Sequence, residues 1–291
     1  MKEKLIITAA LAGGATTKNN NPNTPYTPEE FAEESYKCLQ EGVSIVHIHA
    51  KNPADGMATM DVQTHRDIIG AVTDRCPELI INISTGAMQT PPEDRIAPTV
   101  DLKPELASYN TNSMNFAVAN HKTGEIWFEF IYDNTFAMME DFARQMKEVG
   151  TKPECEIFDP GGLYNCILLS RKKDLFEQPM HFQFVYGVAG GMQFDPLLHM
   201  SLVGQLPEKA TYSVCGVGPH QHRAALISAI SGGHIRIGLE DNVKMPGGDL
   251  AKGSWEQAKW VKDIARIAGR PIATPDETLE LLGLKKKEGK L

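Results

Sequence analysis

The sequence contains no long apolar run and no excess of basic charge, and both absences exclude a class of partner. No segment of its 291 residues approaches the roughly 18 uncharged apolar residues that a membrane-spanning helix needs. The formal net charge is −8, and the one basic run, Lys285-Lys286-Lys287, lies near the end of the chain. We therefore expect neither a membrane nor a nucleic acid as partner.

Paired cysteines are also lacking. The five cysteines are odd in number and scattered, and none stands in a Cys-x-x-Cys arrangement. This usage is typical of reduced thiols and argues against a disulfide framework. The residues from Met1 to Thr8 lead directly into a strand-like pattern, without the apolar stretch of a signal peptide. The sequence therefore predicts a cytoplasmic protein.

What the chain does contain is a regular alternation of short β-rich runs with longer amphipathic stretches. Eight such runs alternating with helical patterns are typical of a parallel α/β barrel, the (β/α)8 TIM barrel. A doubly wound open sheet is the alternative, but no Gly-x-Gly-x-x-Gly motif follows the first strand. The predicted strands are Leu5–Ala10, Ser44–Ala50, Leu79–Ser84, Glu105–Tyr109, Cys155–Phe158, His181–Tyr186, Thr211–Cys215 and His234–Leu239.

The segments between these strands predict helices and one insertion. Start signals such as Thr27-Pro28-Glu29-Glu30 support the helix boundaries. Residues 115–132 fit the repeat poorly and predict a small hairpin insertion within a single domain spanning residues 1–291. The predicted helices include Pro28–Glu41, Asp61–Arg75, Phe136–Val149, Gly162–Lys173, Phe194–Leu202, Arg223–Ser231 and Gly253–Ala268.

Two histidines, His47 and His49, end the second predicted strand. Because a strand repeats every two residues, both side chains project from the same face and can present two imidazoles to one metal ion. A second pair, His220 and His222, leads into a helical pattern, where residues two apart point in nearly opposite directions. The first pair therefore indicates a metal site, with two structural histidines as the alternative.

The eighth predicted strand supplies residues that could complete such a site. Alternate residues from His234 to Glu240 share one face, so Arg236 and Glu240 point into the barrel. Glu240 is the natural third ligand, because two imidazoles and one carboxylate leave a catalytic position open. Asp241, just beyond the strand, is a candidate general base that Arg236 could orient. The alternative is a structural ion pair of Arg236 with one of these carboxylates, without metal.

Other strand ends carry weaker signals. Ser84 ends the third strand, and Ser108 with Asn110 ends the fourth. Such groups line a barrel mouth or simply satisfy loop backbone. Glycine clusters at 187–191 and 216–218 follow the sixth and seventh strands. They are typical of tight turns or of close approach to a phosphate-bearing cosubstrate.

Several segments form a set that identifies a family: Thr8-Ala9-Ala10, Thr27-Pro28-Glu29-Glu30, His47-Ile48-His49, Ile83-Ser84-Thr85-Gly86, Asn115-Phe116, Gly232-Gly233-His234-Ile235-Arg236-Ile237-Gly238-Leu239-Glu240-Asp241-Asn242 and Arg270-Pro271-Ile272-Ala273-Thr274-Pro275. Together they resemble the β-keto acid cleavage enzymes, over residues 4 to about 284. The resemblance implies a zinc-dependent barrel, usually a homotetramer. Such enzymes convert a β-keto acid and acetyl-CoA into acetoacetate and a new acyl-CoA.

The resemblance also implies roles for individual residues. Zinc would be held by the two histidines that end the second strand, together with Glu240. Asp241, with Arg236 and Ser84, would serve the acid and base steps. The side chains that would surround the carboxylate and keto group of the substrate are Ser84, Ala87, Ser108 and Asn110.

Two positions depart from the family's pattern. Members that cleave an amino-bearing keto acid have a glutamate after the first strand, whereas this chain has Ala15. Many members have an arginine two residues after the His-x-His motif, whereas this chain has Lys51. We therefore expect a β-keto acid that carries no amine at the position facing Ala15.

Three other functions fit parts of the same pattern. A metal hydrolase of the amidohydrolase type also uses His-x-His, but at the end of the first strand, with further histidines on strands five and six. Here the fifth strand carries Glu154 and Glu156. A metal-dependent aldol or Claisen lyase without CoA transfer is a closer alternative. A non-catalytic metal-binding or scaffold protein is the third.

Overall fold

The computed structural model describes residues 4–287 and contains a closed barrel of eight parallel strands. Neighbouring barrel strands follow one another in the chain, except that a hairpin intervenes between the fourth and fifth, and the last strand pairs with the first. The predicted TIM barrel is confirmed, and the open sheet is excluded. The barrel strands are β1 (Ile7–Ala10), β2 (Ile45–Ile48), β3 (Ile80–Ile83), β4 (Leu106–Asn110), β7 (Lys152–Ile157), β8 (His181–Tyr186), β9 (Thr211–Gly216) and β10 (His234–Ile237), and the hairpin strands are β5 (Met114–Ala119) and β6 (Ile126–Tyr132).

Helices follow the barrel strands and cover the outside. Thr27 and Thr274 each close a capping box at a helix start, as the Thr-Pro-acid patterns indicate. None of the helices in residues 4–287 has the length and apolarity that crossing a bilayer requires. They are α1 (Pro28–Gln40), α2 (Val62–Arg75), α3 (Pro92–Leu102), α4 (Phe136–Glu148), α5 (Pro160–Leu169), α6 (Pro196–Val203), α7 (His220–Ser231), α8 (Ser254–Ile267) and α9 (Pro275–Leu282).

Strand alternation separates an apolar outer layer from a polar barrel interior. On β2, Val46 and Ile48 belong to the apolar cluster that includes buried residues of α1 and α2. On β10, Ile235 and Ile237 join the same cluster, whereas Arg236 between them contacts carboxylates inside the barrel. The side chains available for chemistry therefore line the inside of the barrel.

The predicted hairpin insertion is also confirmed. β5 and β6 pair in antiparallel fashion, and β5 contacts the loop after β8 through a hydrogen bond from the Ala117 N–H to the Ala189 carbonyl, at 3.2 Å. Tyr132 of β6 packs in an apolar cluster with Val185 and Val188. The hairpin therefore stands at the carboxyl-terminal edge of the barrel, beside the site described next.

Candidate active site

Three side chains converge where β2 and β10 end. Nε2 of His47 and Nε2 of His49 lie 3.6 and 3.5 Å from the same oxygen, Oε1 of Glu240. Within residues 4–287, this triad is the one group of histidine, cysteine and acidic side chains close enough to share an ion, with all three ligand atoms within 4.8 Å of one another. The structure thus brings together the three ligands expected from the sequence.

Glu240 reaches this position by a turn and not, as expected, by strand alternation. β10 ends at Ile237, because Gly238 has a φ of +145° and passes so close to β1 that a Cβ there would lie 1.9 Å from the Ala10 carbonyl oxygen. The Asp241 N–H then returns to the Gly238 carbonyl at 3.1 Å. Both carboxylates beyond the strand therefore turn toward the barrel mouth.

Ser84 lies against Nε2 of His49, the nitrogen that faces Glu240. Its Oγ is 2.8 Å from His49 Nε2 and accepts the Gly86 N–H at 3.1 Å. Burial, with Arg236 nearby, lowers the pKa of His49 to about 3. Burial and Arg236 likewise hold the pKa of His47 well below its usual value. Both imidazoles are therefore neutral, which is the state that binds a metal.

Arg236 holds the carboxylates of the site together. Its Nε and one terminal nitrogen donate to the two oxygens of Asp241, each at 2.9 Å, in a bidentate pair. The same terminal nitrogen contacts Glu240, and the other one donates to Glu156 at 3.3 Å. One guanidinium therefore faces three carboxyl groups.

The pKa values of these carboxyls reflect burial more than pairing. Burial raises the pKa of Asp241 and of Glu240, while the Arg236 guanidinium opposes both shifts. Burial raises the pKa of Glu156 to about 8, with Arg236 again opposing. A carboxyl whose proton affinity is raised in this way suits proton transfer near neutral pH.

The sequence did not predict the contacts within the polar layer that lies beneath the triad. Asn82, which pairs with His47 in the register of β2 and β3, donates to Glu154 at 2.7 Å. Gln183 contacts both Glu154 and Glu156, at 3.4 and 3.3 Å. The alternation of Glu154 and Glu156 on the fifth barrel strand was the available signal, but it did not reveal these partners.

The residues expected to surround the substrate lie beside this centre, at the ends of β3 and β4. Ala87 is half-buried in the loop after β3. Ser108 is fully buried, and its Oγ accepts the Thr85 N–H at 2.9 Å. Asn110 is nearly buried, with its amide 3.5 Å from the Thr85 hydroxyl. Their contact with substrate stays a prediction.

Two further features singled out in the sequence are the second histidine pair, His220 and His222, and Lys51. His220 packs against Gly187, whereas His222 faces Trp260 with ring centroids 4.9 Å apart. The two rings therefore contact different parts of the molecule, as expected for a pair on a helix. Lys51 is fully buried near the triad, and burial lowers its pKa to about 8 while Glu240 opposes the shift.

The donor set fits a divalent cation. Two neutral imidazole nitrogens and a carboxylate oxygen are the ligands of many catalytic zinc sites. The second oxygen of Glu240, Oε2, is buried and has no hydrogen-bond partner among residues 4–287. Because an unpaired buried carboxylate oxygen is costly, this atom favours a bound cation.

Comparison with known proteins agrees with this architecture. The family model for beta-keto acid cleavage enzymes matches residues 4–284. The chain is 39% identical over 285 residues to a 3-keto-5-aminohexanoate cleavage enzyme from Acetoanaerobium sticklandii, covering 98% of this chain and all of that protein. It is 30% identical over 302 residues to a 3,5-dioxohexanoate:acetyl-CoA acetone transferase from Paraburkholderia graminis, covering 98% and 97% of the two chains.

Solved structures support the barrel alone. The apo structure of ObcA superposes with a TM-score of 0.72 at 22% identity, covering 90% of this chain and 66% of that one. The chain therefore spans about two thirds of ObcA, and the likeness concerns the fold. The family match and the two relatives cover nearly the whole chain, and on that basis this protein is an enzyme that belongs to the beta-keto acid cleavage enzyme family.

Proposed function

We propose that this enzyme transfers an acyl group from a β-keto acid to coenzyme A, with acetyl-CoA as cosubstrate and acetoacetate as coproduct. The single observation that carries the proposal is the pairing of the His47, His49 and Glu240 triad with the Asp241–Arg236 pair at one barrel mouth. The names of the relatives, which describe cleavage of a keto acid and transferase reactions of keto acids with acetyl-CoA, support the same reaction class.

We propose zinc as the ion, held by His47, His49 and Glu240. When bound, zinc polarises the carbonyl of a keto acid as a Lewis acid. The residues of the chain supply proton transfer and orientation. The Asp241 carboxylate accepts the proton from the carbon between the keto and carboxylate groups. Arg236 keeps that carboxylate in place and stabilises the negative charge that develops on the substrate.

The bonds that form and break balance without an added oxidant or reductant. The deprotonated carbon attacks the acetyl thioester, a carbon–carbon bond forms, and the CoA thiolate leaves. The thiolate then attacks the original keto carbon of the joined product, and the bond between that carbon and the attacked substrate carbon breaks. The products are acetoacetate, reprotonated at carbon, and the new acyl-CoA. Ser84, Ala87, Ser108 and Asn110 are proposed to line the substrate during these steps.

The decisive experiment incubates the purified enzyme with β-keto acids in the presence and absence of acetyl-CoA. We expect acetoacetate and a new acyl-CoA in equal amounts, and neither product without the thioester. Cleavage without acetyl-CoA would instead indicate a metal-dependent aldol or Claisen lyase. Hydrolysis of amide or ester substrates would indicate the amidohydrolase type, and either result would contradict the proposal.

We further propose that the substrate carries no amine near the first strand. Ala15 is exposed at the mouth and offers no carboxylate to pair with an ammonium group. In a panel of β-keto acids, kcat/KM should be higher for uncharged side chains than for 5-amino-3-oxohexanoate. A best rate with the amino compound would contradict this assignment, and the Ala15→Glu variant should shift the preference toward it.

We propose that the protein is a homo-oligomer, a tetramer, in which α6 and α7 contact a second copy. His199 of α6 and Ser231 of α7 hydrogen-bond at 3.0 Å, so the two helices are neighbours. Leu197 of α6 and Ile230 of α7 are 81% and 78% exposed, and Met200 and Leu226 are about half exposed. These four side chains form an exposed apolar patch across two neighbouring helices, of the kind that can pair with its own copy about a two-fold axis.

The oligomeric state can be measured by light scattering coupled to size exclusion. We expect a tetramer, and a lower mass when Leu197→Glu and Ile230→Glu are combined, because one two-fold patch joins two copies and a tetramer needs a second interface. The matched control is Met57→Glu, at another exposed apolar residue in the loop after β2, which should leave the mass unchanged. A monomeric unmodified chain would contradict the proposal.

We also propose that the enzyme works in the cytoplasm. All five cysteines are free and buried, as expected of a protein folded under reducing conditions. Fractionation of the source cells should recover the activity with cytoplasmic markers, and recovery outside the cytoplasm would contradict this location.

A further inference from the structure

The first loop, residues 11–26 between β1 and α1, lies directly over the triad. Gly13 has a φ of +70° and packs so closely on Glu240 that a Cβ would lie 2.6 Å from its Cγ. Gly14 lies beside a second ligand at ordinary van der Waals distance, with a Cβ position 3.8 Å from Cε1 of His49. The loop is therefore a wall of the candidate metal site, and its position affects two of the three ligands.

Thr16 contacts the segments that follow two different strands, β10 and β2. Its hydroxyl donates to the main-chain carbonyl of Glu240 at 3.1 Å. Its own main-chain carbonyl accepts from Nζ of Lys51, two residues after the ligand His49, at 2.9 Å. A continuous path of hydrogen bonds therefore runs from Lys51 through Thr16 to the backbone of Glu240.

Lys51 is an unusual anchor for a stable fold. It is fully buried, and among residues 4–287 no carboxylate lies within 4.0 Å of its ammonium group. Burial of a charge with one neutral acceptor is unfavourable, so stability alone gives little reason for a lysine here. A buried ammonium is justified if it fixes something that the reaction needs.

We propose that Lys51 is a positioning residue: through Thr16 it holds the first loop against Glu240 and so fixes that carboxylate as a metal ligand. The Glu240 N–H is bound by the Ala10 carbonyl of β1 at 3.2 Å, and its carbonyl is bound by Thr16. Both main-chain groups of Glu240 thus depend on β1 and the first loop. Loss of Lys51 removes the contact that holds Thr16 from the side of β2, whereas the later part of the loop stays held through Asn21, which donates to the Val243 and Ala251 carbonyls.

The proposal rests on the metal site of the proposed function, and its first test measures zinc affinity rather than turnover. Competition with a chelator gives the zinc Kd of the full chain and of Lys51→Met, Thr16→Val and the double variant. Second-sphere changes of this kind typically weaken metal binding about 10- to 100-fold. Lys51 and Thr16 belong to one path, which either substitution interrupts. The double variant should therefore bind zinc no more weakly than the single variant with the larger loss of affinity.

Lys152→Met is the matched control. Lys152 is also a buried lysine whose Nζ donates to one main-chain carbonyl, that of Leu282 at 2.5 Å, but it lies at the start of β7, at the other end of the barrel. This variant should keep the zinc Kd within about twofold of the unmodified chain. An equal loss in Lys51→Met and Lys152→Met, or no loss in Lys51→Met, would overturn the proposal.

The second test follows loop opening in the metal-free protein. Trypsin can cut after Lys18 of the first loop, whose side chain forms an ion pair with Glu30 of α1 and whose N–H donates to the Tyr26 hydroxyl. Loss of the Lys51 anchor should speed this cut at least about fivefold, because cleavage follows the population of the open loop. Lys152→Met should not speed it, and an unchanged rate in Lys51→Met would contradict the proposal.

Two further variants keep the test decisive. Lys51→Arg retains a donor that can reach Thr16 and should restore zinc affinity and protease resistance to near the original values. If Lys51→Met fails to fold, Thr16→Val decides, because it removes a half-exposed hydroxyl and leaves the core intact; unchanged zinc affinity there refutes the path. If the chain cleaves no β-keto acid, the proposed function fails, while zinc affinity and cleavage after Lys18 still test the anchor.

Discussion

The barrel interior is polar at both ends, but the two ends use the same residue types differently. At the amino-terminal ends of the strands, buried polar side chains contact backbone groups or a neighbouring hydroxyl, and one of them, His181, also has its Nε2 3.6 Å from Glu154. Nδ1 of His234 accepts the Ile6 N–H at 3.2 Å, and Lys152 donates to the Leu282 carbonyl. We call this set the lower layer, and its members are Glu105, Lys152, His181 and His234.

At the carboxyl-terminal ends, polar side chains meet one another instead. Two imidazoles turn toward one carboxylate, a guanidinium faces several, and Oε2 of Glu240 has no partner among residues 4–287. Because the lower layer bonds to the backbone, it belongs to the fold. Side-chain atoms without a hydrogen-bond partner make the carboxyl-terminal end a candidate binding site. We call it the upper layer, and its members are His47, His49, Arg236, Glu240 and Asp241.

The largest effect should come from removing an upper histidine and comparing it with a lower one. His49→Ala should lose bound zinc and reduce kcat/KM at least about 1000-fold, because one ligand and the Lewis acid are lost together. His234→Asn retains an acceptor for the Ile6 N–H and should keep both zinc and activity. Metal analysis and initial rates check the pair. A zinc-replete His49→Ala protein would disprove the ligand assignment and erase the distinction between the layers.

Asp241→Asn should sharpen the roles within the upper layer. The amide keeps the size of the carboxylate but cannot accept the substrate proton, so kcat should fall about 100- to 10,000-fold. Zinc content should not change, because Asp241 is outside the triad. Loss of zinc along with activity would assign Asp241 to metal binding, and retention of activity would remove it from the acid–base steps.

The residues of the upper layer could be predicted from the sequence, but the distant residues that contact them could not, and the reason is physical. The two-residue period of a strand is local, so it placed His47 and His49 on one face. Glu240 was correctly predicted to lie beside the two histidines, but it was placed on β10 and lies in the turn after it. The strand ends early because Gly238 packs against β1, which is a tertiary contact. The anchor of Lys51 on Thr16 joins a side chain to a carbonyl 35 residues away, and residue types carry no signal for such a contact.

The fold shows the same limit. Apolar periodicity and cap residues predicted the barrel strands and most helices, since these signals act within one element. α3 was not predicted, because Pro98 lies inside it and proline is a helix breaker in sequence patterns. Its buried residues, such as Ile96, secure it by packing, which depends on tertiary contacts.

A buried carboxyl group outside the barrel, that of Glu34, should make the stability of the fold depend on pH. Glu34 of α1 accepts the N–H groups of Ser254 and Trp255 at the start of α8, and burial raises its pKa to about 7. The unfolded chain loses this proton near pH 4.5, so the folded state binds more protons between these values. Stability should therefore fall, by up to ~3 kcal/mol, as pH rises from about 4.5 to about 7.

Glu34→Gln removes this titration while keeping an acceptor for both N–H groups. Urea unfolding at pH 4.5, 6 and 8 should show the variant gaining stability relative to the unmodified chain as pH rises. At each pH the variant and the unmodified chain should bind zinc equally well, because Glu34 has no contact with the upper layer. A constant difference across the three pH values would contradict the assigned pKa shift.

The smallest effect tests the lower layer itself. Glu105 accepts the Ile81 N–H at 3.1 Å and the Lys287 N–H at 3.4 Å, so it ties β3 to the last described residues of the chain. Glu105→Ala leaves a buried strand N–H without its partner and should cost about 2 kcal/mol of unfolding free energy. Glu105→Gln keeps the acceptor and should recover most of that loss.

Because nothing in this layer touches the triad, kcat and zinc content should stay within twofold in both variants, roughly the limit of independence for distant sites. A loss of zinc in Glu105→Ala would mean that the two ends of the barrel are coupled, and backbone pairing below would then be part of how the metal site above is held.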